Sequence, residues 1–107
     1  MARYWLILGV AVVTEILWAL SLKYIQQHPG PWPILASICL TGVNMVLLSF
    51  AMRGIPAGVA YAVWTGLGAV GVAIFGAAAF GDHLNSGQIA SMAVVIAGVV
   101  GMKLTTG

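Results

Sequence analysis

Residues 4–22 read YWLILGVAVVTEILWALSL, and this stretch decides the fold. It is apolar for long enough to cross a bilayer as a helix, which takes roughly 20 residues. One residue interrupts it: Glu15, in the middle. A carboxylate at that depth costs on the order of 2.5–3.5 kcal/mol on insertion scales, so such residues are rare and by default functional. The chain holds one other acid, Asp82, which falls in a polar break.

Three further runs of the same kind follow, at 34–52, 57–80 and 86–104. The breaks between them are short. Pro29-Gly30-Pro31-Trp32-Pro33 carries three prolines in five residues and is expected to form a loop. Arg53-Gly54-Ile55-Pro56 makes a tight connection, and Gly81-Asp82-His83-Leu84-Asn85 makes the last. Asn85 and Gln88 have the spacing of a helix N-cap and capping box. In lipid every backbone amide must find a partner inside the structure, so runs of this length are helices. The expectation is an all-α membrane protein, with residues 1–107 forming a single four-helix transmembrane domain.

Composition leads to the same conclusion. Of 107 residues, 62% are hydrophobic and 6% are charged. A soluble domain carries about 25% charged residues to cover its surface. The net charge of +2 comes from basic residues at the ends of apolar runs. That placement suits membrane flanks and excludes a nucleic-acid surface, which gathers Lys and Arg on one face. Arg3, Arg53 and Lys103 fall on one side of the membrane, with Lys23 and Asp82 on the other. The bias leans toward cytoplasmic termini and leaves a mixed orientation open. The single cysteine, Cys39, rules out a disulfide framework and reads as a buried structural thiol. The segment Met1-Ala2-Arg3, with Ala19-Leu20-Ser21 further on, has the outline of a secretory signal, but Glu15 and Trp18 argue against cleavage.

On a helix, residues three and four apart share a face. Glu15 therefore shares one with Val12, Trp18 and Ala19. Tyr61, Trp64, Thr65 and Gly68 make a comparable stripe on the third helix. Trp5 and Trp32 fit the interfacial belt where membrane aromatics usually sit. Trp18 and Trp64 lie deeper, Trp64 roughly 10 Å inside its helix at about 1.5 Å rise per residue. An aromatic face attracts a cation, by up to about 2 kcal/mol when desolvated. A tyrosine hydroxyl can donate to a carboxylate and orient it. Burial favours the neutral form of a carboxyl group. Glu15 can then hold a proton and release it when a cation arrives. One site that holds either, exposed to each side in turn, is an exchanger.

Four helices are few for enclosing a cavity, so association is expected. Ser91 and Gly98 lie seven residues apart on one face of the last helix, and small residues there let helices approach closely. The third helix is rich in small residues (Gly66, Gly68, Ala69, Gly71, Ala73 and Gly76), which either weaken it so that it can bend or let it pack closely. Three other classes remain to be weighed. A proton-carrying subunit of a rotary ring has no use for Trp18, Tyr61 and Trp64 around its acid. An enzyme needs a triad or metal set that Glu15, Asp82, His28 and His83 do not supply. A structural or assembly subunit has no need of Glu15. No metal or cofactor is implied.

The residues also carry a family likeness. Glu15 and Pro56-Ala57-Gly58-Val59-Ala60-Tyr61-Ala62-Val63-Trp64-Thr65-Gly66-Leu67-Gly68 make the chain resemble the small multidrug resistance family of bacterial inner-membrane transporters. The resemblance covers essentially the whole chain. It implies an antiparallel dual-topology homodimer with both copies of Glu15 in one central site, and proton-coupled export of small organic cations. It implies that Tyr61 and Trp64 line the site, that Gly66 and Gly68 mark a bend, and that Ser91 and Gly98 lie on the dimer seam. Trp18-Ala19-Leu20-Ser21-Leu22-Lys23-Tyr24 and Gly101-Met102-Lys103-Leu104-Thr105 look like the guanidinium-exporting type. The other main type exports bulky aromatic and quaternary ammonium cations. Three positions depart from the pattern. Val12 and Ser91 stand where the resembled proteins usually or often have Gly. Asn44 stands where they usually have a Ser that hydrogen-bonds near the carboxylate. An Asn amide both donates and accepts, so it could replace that Ser but would change the cavity's shape. Val12 and Asn44 leave substituted guanidines or broader cations open as substrates. A paired-subunit heterodimer is a further alternative to the homodimer.

Overall fold

A computed structural model describes residues 2–106. Its elements are four α-helices: α1 (Ala2–Gln27), α2 (Pro31–Ala51), α3 (Ala57–Phe80) and α4 (Ser86–Thr105). Each is long and apolar enough to cross a membrane. Among the described residues there is no strand.

The helix ends follow from local chemistry. α1 runs past its apolar stretch through Lys23, Tyr24, Gln26 and Gln27, since Lys and Gln are good helix formers. The proline-rich segment is only partly the expected loop, because α2 begins at Pro31 and contains Pro33. Amides of the first turn have no helical partner to lose, so proline is tolerated there. α3 ends on Gly81 in the left-handed conformation, φ 71°, where a glycine carries no Cβ penalty. α4 opens with a capping box. The Gln88 amide donates to Asn85 Oδ1 at 2.8 Å, and the Asn85 amide donates to Gln88 Oε1 at 3.0 Å.

α1 is the hub, packing against both α2 and α3, while α4 packs against α3. The described residues span 45 × 34 × 17 Å. α4 touches α3 alone, and neither α1 nor α2 packs on it. The chain is a layer rather than a closed bundle. Its packed core lies at one end, where Leu8, Leu48, Ala51, Ile55, Ala60 and Val63 converge from α1, α2, the α2–α3 connection and α3. The Tyr4 ring closes that end by lying on Gly54, where an added Cβ would come within 2.0 Å of the ring. At the opposite end Lys23 donates to Asp82 in an ion pair between α1 and the α3–α4 loop. Both side chains are well exposed, and such pairs are worth about 0–1 kcal/mol.

The buried stripe of α2 is Pro33, Ser37, Asn44, Leu48 and Ala51. Cys39 lies off that stripe and is exposed, which corrects the expectation of a buried thiol. α4 has no buried residue. Val94, Val100 and Leu104 are all exposed along it.

The Tyr4–Gly54 contact is the tightest rigid one at the packed end. Gly54→Ala should destabilise the chain by about 1–3 kcal/mol, the usual range for overpacking. Gly42→Ala, where nothing lies within 4 Å of the new methyl, should not destabilise it. Unfolding in mixed micelles titrated with a denaturing detergent compares the two.

Candidate functional site

Glu15 sits midway along α1, the helix that touches both of its neighbours. Its side chain reaches the face where α1 meets α3. There Gly68 is buried, and an added Cβ would stand 2.7 Å from Glu15 Cγ. One turn further along, a Cβ on Gly71 would come within 2.2 Å of Ile16 Cδ1. The two glycines let α1 side chains lie directly on the α3 backbone. Close approach of this kind is the usual reason for small residues between membrane helices.

Beside Glu15 lies an open cavity of about 480 Å³. α1 contributes Glu15, Trp18 and Ala19, and α3 contributes Tyr61, Trp64, Thr65 and Gly68. Apart from Glu15 no ionisable group other than the Tyr61 phenol lines it. The Tyr61 and Trp64 rings are 5.7 Å apart between centroids and inclined by 46°. Two tilted aromatic faces beside one carboxylate make a setting for an organic cation: the carboxylate supplies charge and the rings supply quadrupole and apolar contact. Trp64 Nε1 is buried with no acceptor. A buried donor left unpaired costs about 1–3 kcal/mol.

The sequence-derived residues are thus partly gathered. Glu15, Trp18, Tyr61, Trp64, Thr65 and Gly68 meet at one cavity. Val12 does not line it. Val12 is buried one turn away and faces a second, apolar cleft between α1, α3 and α4. Asn44 does not line it either. It is 2% exposed within the buried stripe of α2, and its Oδ1 has no partner. Gly66 faces α4, where an added Cβ would stand 3.2 Å from Val95 and 3.3 Å from Val99. α3 runs unbroken through Gly66 and Gly68. Ser91 and Gly98 are exposed on α4. The Ser91 hydroxyl donates back to the Gly87 carbonyl at 2.9 Å.

Ala69, Val72 and Ala73 also line the cavity, and sequence reasoning did not assign them there. The signal was present, since they extend the stripe from Thr65 at helical spacing. Among the described residues no group of three or more His, Cys, Asp or Glu could hold a metal ion.

A multi-pass membrane layer with one acid in its spans has the character of a small transporter, and comparison with known proteins agrees. Residues 3–95 match the family described as Small Multidrug Resistance protein. The guanidinium exporter of Proteus vulgaris is 46% identical over 102 residues, covering 95% of this chain and 98% of its own length. The guanidinium exporter of Escherichia coli is 42% identical, over 95% and 97% of the two chains. That of Yersinia pseudotuberculosis is 39% identical, over 95% and 98%. The chain belongs to the small multidrug resistance family. It is a multi-pass transporter of the bacterial inner membrane, not an enzyme.

The Glu15–Gly68 contact separates two glycines of the same helix. Gly68→Ala should displace the Glu15 side chain and lower cation affinity at least tenfold in a protein that still folds. Gly66→Ala meets only valine methyls that can yield a few tenths of an ångström, so its affinity should stay near wild type. Isothermal titration with guanidinium, alongside far-UV circular dichroism, reads both.

Proposed function

We propose that this protein exports guanidinium or substituted guanidinium compounds in exchange for protons, with Glu15 holding the proton and the cation in turn. The carrying observation is that Glu15 is the sole acid in the spans and faces an apolar, aromatic cavity. Similarity to guanidinium exporters supports the substrate class. Trp18 and Trp64 offer planar faces to a planar cation, and Tyr61 offers a hydroxyl. The Trp64 N–H, unpaired in the single chain, has the right chemistry to donate to a carboxylate. Asn44, buried with a free carbonyl oxygen, is a positioning residue in this reading.

The complete transporter is proposed to be an antiparallel homodimer of dual topology. The cavity is open on one side, and a second copy would close it and bring a second Glu15. α4, unburied and carrying Ser91 and Gly98, supplies a seam for that contact. Two carboxylates in one cavity would titrate as a coupled pair. Alternating access would use the glycine-weakened stretch of α3 around Gly66 and Gly68.

The order of events follows from charge. With Glu15 protonated the cavity is neutral and has little hold on a cation. A cation arriving from the cytoplasm displaces the proton and is held by the carboxylate and the rings. When the site faces the other side, protons compete the cation off and return. Cation affinity should therefore weaken as pH falls.

The reading is tested in liposomes. Guanidinium uptake should be driven by a proton gradient of opposite direction, and Glu15→Gln should abolish it while the protein still assembles. Full activity in Glu15→Gln would overturn the mechanism. The second reading, broad export of quaternary ammonium cations, is favoured by the cavity's apolar lining and its size of about 480 Å³. A panel of guanidinium, alkyl-guanidines and a tetraalkylammonium decides. Guanidinium and alkyl-guanidines should be transported, and transport of the tetraalkylammonium alone would select the second reading.

A further inference from the structure

We propose that the apolar cleft between α1, α3 and α4 is a binding site for an anionic phospholipid, with an acyl chain in the cleft and the phosphate at Lys103. The cleft has a volume of about 290 Å³ and is separate from the Glu15 cavity. Trp5, Leu8 and Gly9 of α1, Leu67 of α3, and Val99 and Lys103 of α4 line it. Lys103 is its only charged group. An apolar channel ending in one cation matches an amphiphile with an anionic head.

The surrounding charge fits the same ligand. Three cations stand at this end of the chain, each set against an aromatic ring. Lys103 Nζ lies 4.9 Å from the Trp5 centroid. Arg3 Cζ lies 4.9 Å from that of Tyr4, and Arg53 Cζ lies 4.6 Å from that of Phe50. Tyr4 in turn rests on Gly54, next to Arg53. A ring orients a cation but does not neutralise it. Among the described residues the single ion pair joins Lys23 to Asp82 at the far end. Glu15 is midway along its helix, so among the described residues no side-chain carboxylate pairs with Arg3, Arg53 or Lys103. Basic pockets between membrane helices bind phosphate headgroups for this reason. The three cations stand at the ends of the spans, where headgroup phosphates meet a membrane protein, and the cleft holds the chain beneath.

The test uses the full-length protein purified in detergent and equilibrated with equal amounts of phosphatidylglycerol and phosphatidylcholine. Native mass spectrometry counts the lipids retained. Wild type should retain phosphatidylglycerol preferentially. Lys103→Gln should reduce that preference about fivefold, the effect of one basic residue near a charged lipid surface, and Lys103→Arg should keep it. Gly9→Leu should also reduce retention, because nothing lies within 4 Å of its new Cβ and the added side chain occupies the cleft. Unchanged preference in Lys103→Gln overturns the site. Loss in Lys103→Gln with normal retention in folded Gly9→Leu overturns the cleft, leaving only surface charge. A fall in dimer fraction in Gly9→Leu with lipid retention intact also overturns it, assigning the cleft to a second copy of the chain.

Discussion

A carboxylate placed in lipid is the constraint on which the rest of this structure depends. Glu15 cannot face hydrocarbon, so it must be turned toward protein. α1 is the helix that carries it, and α1 is also the hub against which α2 and α3 pack. The carboxylate arm needs room beside another helix, and Gly68 provides it by having no side chain. Gly71 does the same for Ile16 one turn on. The glycines of α3 thus serve as the surface on which α1 lays its carboxylate side chain. That close approach sets the width of the cavity, and Trp18, Tyr61 and Trp64 line its walls.

The division of the chain into a packed end and an open middle follows from the same constraint. Leu8, Leu48, Ile55 and Val63 interlock where no polar group needs access. Past them, toward Glu15, small residues replace large ones and the packing opens. The result is a thin layer with a fixed end and an accessible centre. Such a layer leaves polar atoms unpaired: Trp64 Nε1 and Asn44 Oδ1 have no partner within the chain. Unpaired buried groups are rare enough to require an explanation; for Trp64, which borders the cavity, the proposed site completed by substrate and a second subunit supplies one.

Much of this was legible in the sequence, because membrane helices declare themselves by length and apolarity alone. α3 spans the expected 57–80, and the Asn85–Gln88 capping box forms as its spacing implied. The boundaries that moved are those where residue chemistry tolerates more than one state. Pro31 and Pro33 fit a first helical turn as well as a loop, and Lys23 to Gln27 extend a helix once it has begun. Glu15, Trp18, Tyr61, Trp64 and Thr65 could be grouped from helical spacing. What spacing could not give is which faces of different helices meet. Val12 shares a face with Glu15 on a helical wheel, yet one turn of offset is enough to turn it into the neighbouring cleft. Cys39 was misjudged for the same reason, since apolar surroundings in sequence say nothing of which face of α2 is covered.

The central claim is that one carboxylate holds a proton and an organic cation in competition. The most direct measurement is proton release when guanidinium is added to purified protein in weakly buffered detergent solution, repeated over a series of pH values. Competition predicts that protons are released on binding, increasingly so toward acid pH, that apparent affinity falls in step, and that Glu15→Gln releases none. Binding of equal strength at every pH, with no proton released, would contradict it.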